Sequence, residues 1–374
     1  MVYLNNAATS YPKPDAVINA WQKAIRELPS GQFRSSADAD GADILSCCRK
    51  RLGRLLGIAD TDRIYFTSGS TEGLNAIIAG LGIEASRIIT TATEHNSVLR
   101  PLYNLPGIGG SPVLLPCDEN GTVSPESLEE KAKNGDFAAF ILNHCSNVTG
   151  AIQDAGAFGE IAKRYGLIYI LDVSQSAGCM EIKADEWGVD ALAFTGHKSL
   201  MGPQGTGGYY VRDGIKIRPL KYGGTGFDSS RLLYDEDTYE YEAGTLNYPG
   251  TEVLSEALRW VSDTGVDSIR EKERQLTDCL ISELEKTDGI RIFGKYLKDR
   301  GPLVSFTSGI LPPSDIAYIL QNSFGIVTRA GLHCAPLIHE HIGSGNKGTL
   351  RVSFSYFNEK EDVDALIAAL REMA

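Results

Sequence analysis

The apolar run Ala191–Phe194 ends at Thr195-Gly196-His197-Lys198-Ser199, and the glycine-rich segment Gly202–Gly208 follows. A lysine delivered by a strand end into such a loop can be desolvated until its amine is partly neutral. In that state it forms a Schiff base with an aldehyde. Taken alone, Lys198 reads as a solvated loop residue; its weight comes from the other reactive side chains in the chain. Arg329-Ala330-Gly331-Leu332-His333-Cys334-Ala335 sets a thiol beside a histidine and near an arginine, neighbours that favour a nucleophilic thiolate. The other six cysteines, at 47, 48, 117, 145, 179 and 279, form no C-x-x-C pair and read as small core residues of a reducing compartment.

Further polar residues stand where chemistry can use them, each with a plainer reading beside it. Ser70 and Thr71 open a helix behind Gly69, a seat for a phosphate on free N–H groups; alone, the pair reads as N-cap residues. Asp172 follows four apolar residues, where a carboxylate is costly unless it meets a cation such as a protonated pyridine nitrogen; it also suits an N-cap. Gln175 can reach a cofactor hydroxyl or complete that cap. His95 suits a general base, a stacking platform or a surface histidine. Arg351, in the apolar strand Leu350–Phe354, needs an anion such as a substrate carboxylate if it faces inward; the period of two also permits the outward face. His333, Cys334, His339 and His341 match no zinc spacing well. Gly343-Ser344-Gly345-Asn346-Lys347-Gly348 spells G-x-G-x-x-G but opens a strand, not a helix, and is read as a flexible connection.

The elements needed to position these groups follow from periodicity. Helices are expected over Asp15–Leu28 and Ala42–Leu56, flanking an irregular segment from Gly31 to Gly41. Strand–loop–helix units then repeat. The strands are Arg63–Phe66, Arg87–Thr91, Pro112–Leu115, Phe137–Leu142, Leu167–Leu171 and Ala191–Phe194. Ser124-Pro125 opens one of the helices as N-cap and first residue. This alternation means a mainly parallel sheet between helices, an α/β fold whose ligands bind beyond the carboxyl ends of the strands. After Gly250 the pattern changes. A long helical region over Thr251–Lys286 leads to a strand at Leu303–Phe306, a helix opened by Pro313-Ser314-Asp315 and the strand Leu350–Phe354. A last helix follows, with Asn358 and Glu361 as its capping box. The expectation is a large domain over residues 15–250 and a smaller α+β domain from residues 1–14 and 251–374.

The chain has 374 residues, 42% of them hydrophobic and 22% charged, as in a globular protein with more than one core. A net charge of −12 argues against nucleic acid as a partner. No signal peptide and no membrane-length apolar run is read, so a cytoplasmic protein is expected.

In order and spacing, Tyr3-Leu4-Asn5-Asn6-Ala7-Ala8, Gly69-Ser70-Thr71-Glu72-Gly73, Glu94-His95-Asn96, Asn147-Val148-Thr149-Gly150, Asp172-Val173-Ser174-Gln175, Gly196-His197-Lys198, Glu242-Ala243-Gly244-Thr245 and Arg329–Ala335 make one signature. The chain resembles the class V aminotransferase family, and within it the cysteine desulfurases and selenocysteine lyases of the second desulfurase group. The resemblance implies a fold-type I enzyme dependent on pyridoxal 5'-phosphate, acting as a homodimer. Lys198 would carry the cofactor, Asp172 would pair with its pyridine nitrogen, Gln175 would approach its phenolic oxygen, and His95 would stack on the ring. Ser70, Thr71, Thr195 and His197 would hold the phosphate, joined by Thr245 of the partner subunit. Asn147, Arg351 and Arg329 would bind substrate, and Cys334 would accept sulfur from L-cysteine and pass it to an acceptor protein, leaving L-alanine. The alternatives are a selenocysteine lyase acting on L-selenocysteine, another class V reaction such as transamination or C–S cleavage, and a non-catalytic cofactor-binding partner protein. The chain departs from the pattern at Leu332, where the family often has a second histidine, and in Gly31–Gly41, which lacks one. His339 and His341 are additions to which the resemblance assigns no role.

Overall fold

The computed structural model describes residues 1–27, 39–224, 230, 232–233 and 240–373. Along the chain, β1 (Val2–Tyr3), α1 (Asp15–Ala24) and α2 (Ala39–Leu56) lead into β2 (Ile64–Thr67), α3 (Ser70–Leu81), β3 (Ile88–Thr91), α4 (Asn96–Asn104), β4 (Val113–Leu115) and α5 (Pro125–Lys133). Next come β5 (Ala139–Asn143), α6 (Ala155–Arg164), β6 (Ile168–Asp172), β7 (Ala191–Thr195) and β8 (Gly207–Val211). The remainder is α7 (Tyr248–Thr264), α8 (Val266–Leu284), β9 (Ile290–Phe293), β10 (Leu303–Ser308), α9 (Pro313–Phe324), β11 (Ile326–Val327), β12 (Arg329–Gly331), α10 (Ile338–His341), β13 (Thr349–Ser353) and α11 (Lys360–Glu372). Leu28 and residues 31–38 of the segment read as irregular lie outside the described residues.

Strands β2 to β8 form one sheet in the order β2-β8-β7-β6-β5-β3-β4. The pairs from β7 through β4 are parallel, and β8 runs against both β7 and β2. Every residue of β5 and β7 is buried, which is why these strands read as unbroken apolar runs rather than alternating ones. On one face Phe140, Leu142, Leu171 and Phe194 pack with Leu52, Leu56, Leu128 and Phe158 from α2, α5 and α6. On the other, Ile141, Ile170 and Ala193 pack with Leu74, Ile77, Val98 and Leu102 from α3 and α4. Each of these large side chains contributes about 1.5–3 kcal/mol on burial. The register sets Asn143 opposite Asp172, and Asp172 opposite Ala193, so the polar residues at the carboxyl ends of β5, β6 and β7 come out side by side.

A second, antiparallel sheet has the order β12-β13-β10-β9, and β1 pairs in parallel with β11. Leu276 and Leu280 of α8, Leu320 of α9, and Leu366 and Leu370 of α11 cover it against Val304, Phe306, Leu350 and Val352. The fold is thus α/β, with a mainly parallel sheet between helices and a smaller antiparallel sheet beside it.

Four local expectations change. The segment Gly202–Gly208, read as loop, ends in the first residues of β8. A Cβ on Gly207 would lie 2.5 Å from Gly69 Cα and 2.7 Å from the Phe194 carbonyl oxygen, so this glycine answers the close approach of β8 to β7 and to the residue before α3. The long helix read over Thr251–Lys286 breaks into α7 and α8 at Gly265, whose φ is +86°. Ser124 precedes α5 as expected, but its hydroxyl bonds Glu126 rather than a helix N–H. The capping box of α11 is Glu359 with Asp362, one residue later than expected. Asn358 is occupied elsewhere: its amide donates to the Tyr3 carbonyl (3.0 Å) and its oxygen accepts from Asn6 (3.1 Å), tying the start of the chain to its end.

Gly207→Ala should destabilise the protein by roughly 1–3 kcal/mol through overpacking at the β8–Gly69 contact. Urea denaturation checks this; an unchanged midpoint would remove the close-approach argument.

Candidate active site

The loop after β7 is held by its backbone. The His197 carbonyl accepts from Ser10 N (3.0 Å), Thr9 Oγ1 (3.2 Å), Ser10 Oγ (3.1 Å) and Lys13 Nζ (2.9 Å). The Lys198 carbonyl accepts from Ser10 Oγ and Met201 N, both at 2.8 Å. Lys198 projects from this clamp into a cavity of about 430 Å³ at the carboxyl ends of the strands. Burial lowers its amine to about 8, Asp172 works against that shift, and Arg351 and Arg329 add to it. At pH 7 about a tenth of the amine is neutral.

Ser70, Thr71, His95, Asn147, Asp172, Gln175, Thr195, His197, Arg329 and Arg351 line the same cavity. Ser70 and Thr71 begin α3 behind Gly69, which has no side chain to cap the first N–H groups. Asp172 Oδ1 accepts from Ser174 N at 2.9 Å and from the Ser174 hydroxyl. His95 is the N-cap of α4: its Nδ1 accepts from Ser97 N at 3.0 Å, which leaves the proton on Nε2. Burial, with Lys198 next, lowers this imidazole to about 4, so it is neutral at pH 7. Gln175 Nε2 donates to the Ala7 carbonyl (3.0 Å).

Asn143 Oδ1, Asn147 Oδ1, His197 Nδ1 and Arg351 Nε are buried polar atoms without a protein partner, on residues that line this cavity. Such atoms call for a bound polar group. Together with the bare N-terminus of α3, the strand-end aspartate and the partly neutral lysine, they fit a flat phosphorylated aldehyde with a basic ring nitrogen.

Two expected residues stand apart from this lining. Thr245 is exposed and lines a neighbouring cavity, which shares Ser68, Glu72 and Gly205 with the first. Cys334 does not line the Lys198 cavity either. Its half-buried thiol lies 3.2 Å from Nη2 of Arg329, which does. Arg351 faces inward and is fully buried, the reading that the period of two had left open. Its Nη1 donates to the Asn147 carbonyl (2.9 Å) and its Nη2 to Asn5 Oδ1 (3.3 Å). Burial first, then Arg329, pushes its guanidinium down to about 9.

Sequence reasoning passed over several supporting groups. Lys13, Ser10 and Thr9 hold the Lys198 loop, and only their place just after the opening motif marked them. Glu94 was seen within a motif but given no role. It is fully buried, its Oε1 accepts from Thr91 Oγ1 (2.7 Å) and Asn143 N (2.9 Å), and its Oε2 has no partner. His339, also without a role, is buried and bonded to the Leu332 carbonyl and to Ser344. Among the described residues no group of three or more His, Cys, Asp or Glu is placed to hold a metal ion, and no helix is long and apolar enough to cross a membrane.

Burial raises Glu94 to about 8 from an ordinary 4.5, so it is mostly protonated in the fold at pH 7. The unfolded chain releases that proton above about 4.5, and the folded chain keeps it up to about 8. Its contribution to stability is therefore complete below pH 4.5 and is lost as pH rises to 8. Glu94→Gln lacks this loss. Relative to wild type it should gain on the order of a few kcal/mol between pH 4.5 and 8, read from denaturant midpoints. A difference that does not vary with pH would show that Glu94 is ionised in the fold.

A lysine at one strand end, an aspartate at the next and an uncapped helix N-terminus facing both define a cofactor-dependent transferase architecture. The family described as aminotransferase class-V matches residues 2–366, and the chain belongs to it. Among its relatives, a probable cysteine desulfurase of Halalkalibacterium halodurans is 33% identical, with 100% of this chain and 93% of that protein covered. One from Methanothermobacter thermautotrophicus is 31% identical, with 100% and 94% covered. Among solved structures, the apo cysteine desulfurase of Thermococcus onnurineus superposes with a TM-score of 0.90 at 30% identity, covering 99% of this chain and 94% of that one. The S-sulfonic acid form of the cysteine desulfurase CsdA from Escherichia coli gives 0.87 at 28%, covering 100% and 94%.

Proposed function

We propose that this protein is a pyridoxal 5'-phosphate-dependent cysteine desulfurase, converting L-cysteine to L-alanine with a persulfide formed on Cys334. The observation that carries the reading is that Arg329 joins two centres. Its guanidinium lines the cavity that holds Lys198 and lies 3.2 Å from the Cys334 thiol. The full-length similarity to cysteine desulfurases supports the same reaction.

Ser70, Thr71, Thr195 and His197 are taken to hold the phosphate, and Lys198 to bind the aldehyde. Asp172 would face the ring nitrogen, Gln175 the phenolic oxygen and His95 the ring. When bound, the cofactor supplies an electron sink for the pair released at the substrate Cα. Arg351 and Asn147 orient the substrate carboxylate. The Lys198 amine would take the Cα proton. Cys334 Sγ would attack the substrate sulfur: an S–S bond forms, the C–S bond breaks with its electrons on the carbon fragment, and that fragment takes one proton at Cβ, regains one at Cα from Lys198, and leaves as alanine. The persulfide sulfur then goes to an acceptor protein. No external oxidant or reductant is needed, since the sulfur and both electron pairs are accounted for.

The proposal includes a homodimer, in which Thr245 of the partner subunit reaches the phosphate; its exposure and its place in the adjoining cavity support this. It includes a cytoplasmic setting, in keeping with seven cysteines that are all free. It also includes a smaller domain from residues 1–14 and 251–374 beside a larger one over 15–250, supported by the pairing of β1 with β11.

The purified protein should show a visible cofactor absorption band, and Lys198→Ala should remove it. Cys334→Ala should keep the band and lose alanine formation from cysteine by about a hundredfold or more. From selenocysteine the loss should be smaller, because selenium leaves more readily. Equal turnover of cysteine by Cys334→Ala and wild type, or a keto acid in place of alanine, would sink the reaction proposed.

A further inference from the structure

We propose that His339 is a positioning residue for the sulfur-accepting thiol: it is the post that holds the Cys334 turn from the side of the smaller sheet. The inference rests on the reading of Cys334 as sulfur acceptor. His333 and Cys334 have φ of +52° and +61°, two consecutive left-handed residues that are not glycine. Each costs roughly 1 kcal/mol or more, so the turn persists only where its surroundings impose it.

Those surroundings grip three successive carbonyls. The Cys334 carbonyl accepts from Asn96 N at the start of α4 (2.7 Å), and the His333 carbonyl from Asn147 Nδ2 beyond β5 (2.6 Å). Both donors come from the ends of the large sheet. The Leu332 carbonyl accepts within the turn from Ala335 N (2.9 Å) and from outside it from His339 Nε2 (3.2 Å).

His339 is built to do this. A carbonyl can only accept, so the proton sits on Nε2, and Nδ1 takes the Ser344 hydroxyl at 2.6 Å. Burial lowers the imidazole's pKa and keeps this neutral tautomer. The short helix that carries it is anchored by Ile338, packed in one apolar cluster with Val148, Phe293, Ala335 and Ile342. The His333 ring, 6.2 Å from that of His339, is fixed in the same manner by the Thr349 carbonyl (3.1 Å) and hydroxyl (2.9 Å). If the His339 bond is lost, the turn can relax toward negative φ and carry the thiol away from Arg329.

The two amides separate the two ring nitrogens. A glutamine nitrogen reaches close to the Nε2 position, whereas an asparagine nitrogen reaches only close to Nδ1. In the holoenzyme, His339→Asn should speed hydrogen exchange of the Ala335 amide by about tenfold and lower kcat for alanine release about tenfold. KM for cysteine and the visible absorption band should stay within about twofold of wild type. His339→Gln should remain within about threefold of wild type in exchange and in kcat. Wild-type exchange in His339→Asn overturns the proposal. So does an equal loss in both variants, or a loss of the band together with kcat. If wild type itself forms no alanine, the desulfurase reading fails, while the exchange comparison still decides what holds the turn.

Discussion

Positive charge kept from water organises this molecule. Lys198, Arg329 and Arg351 line one cavity, and Lys13 bonds the carbonyl of His197, which lines it too. Against them stand Asp172 and Glu72, the latter already paired with Lys221. Desolvation pulls Lys198, Arg351 and Lys13 below their ordinary values, a measure of how little counter-charge the fold supplies. A buried cation is costly until an anion meets it. The cavity is therefore preset for anions. The same deficit leaves Lys198 with a usable fraction of neutral amine.

Such a cavity collapses or fills with water unless its walls are rigid, and rigidity comes here from backbone carbonyls rather than from side-chain packing alone. Four donors converge on the His197 carbonyl, and separate donors hold the carbonyls of Leu332, His333 and Cys334. Lys198 stands in one clamped segment and Cys334 in the other. Holding the main chain fixes where the side chain starts and leaves its tip free to move, which suits groups that exchange partners in a reaction.

The repeating strand–loop–helix order was legible because it is written locally, in apolar runs, helical periods and glycine punctuation. The lysine, the aspartate and the inward run of polar residues at strand ends were legible for the same reason. β8 was hidden because Gly207 and Gly208 read as turn residues, while their purpose is contact with Gly69 and with the Tyr65 carbonyl far away in the chain. The capping box moved by one residue because Asn358 is engaged by Tyr3 and Asn6 at the other end of the chain. His339 had no visible role because its partner is a main-chain carbonyl, which carries no mark in a residue pattern.

By itself the sequence determined the class of fold, the order of its reactive groups and the kind of chemistry they permit, since these depend on residue type and short-range spacing. Tertiary structure alone decided that Arg351 points inward, that Glu94 keeps its proton, that Thr245 stands outside the Lys198 cavity, and that Cys334 reaches that cavity through Arg329. Each of those depends on desolvation or on distance across long stretches of chain. Water exclusion and approach are properties of the packed molecule, and no local pattern of residues encodes them.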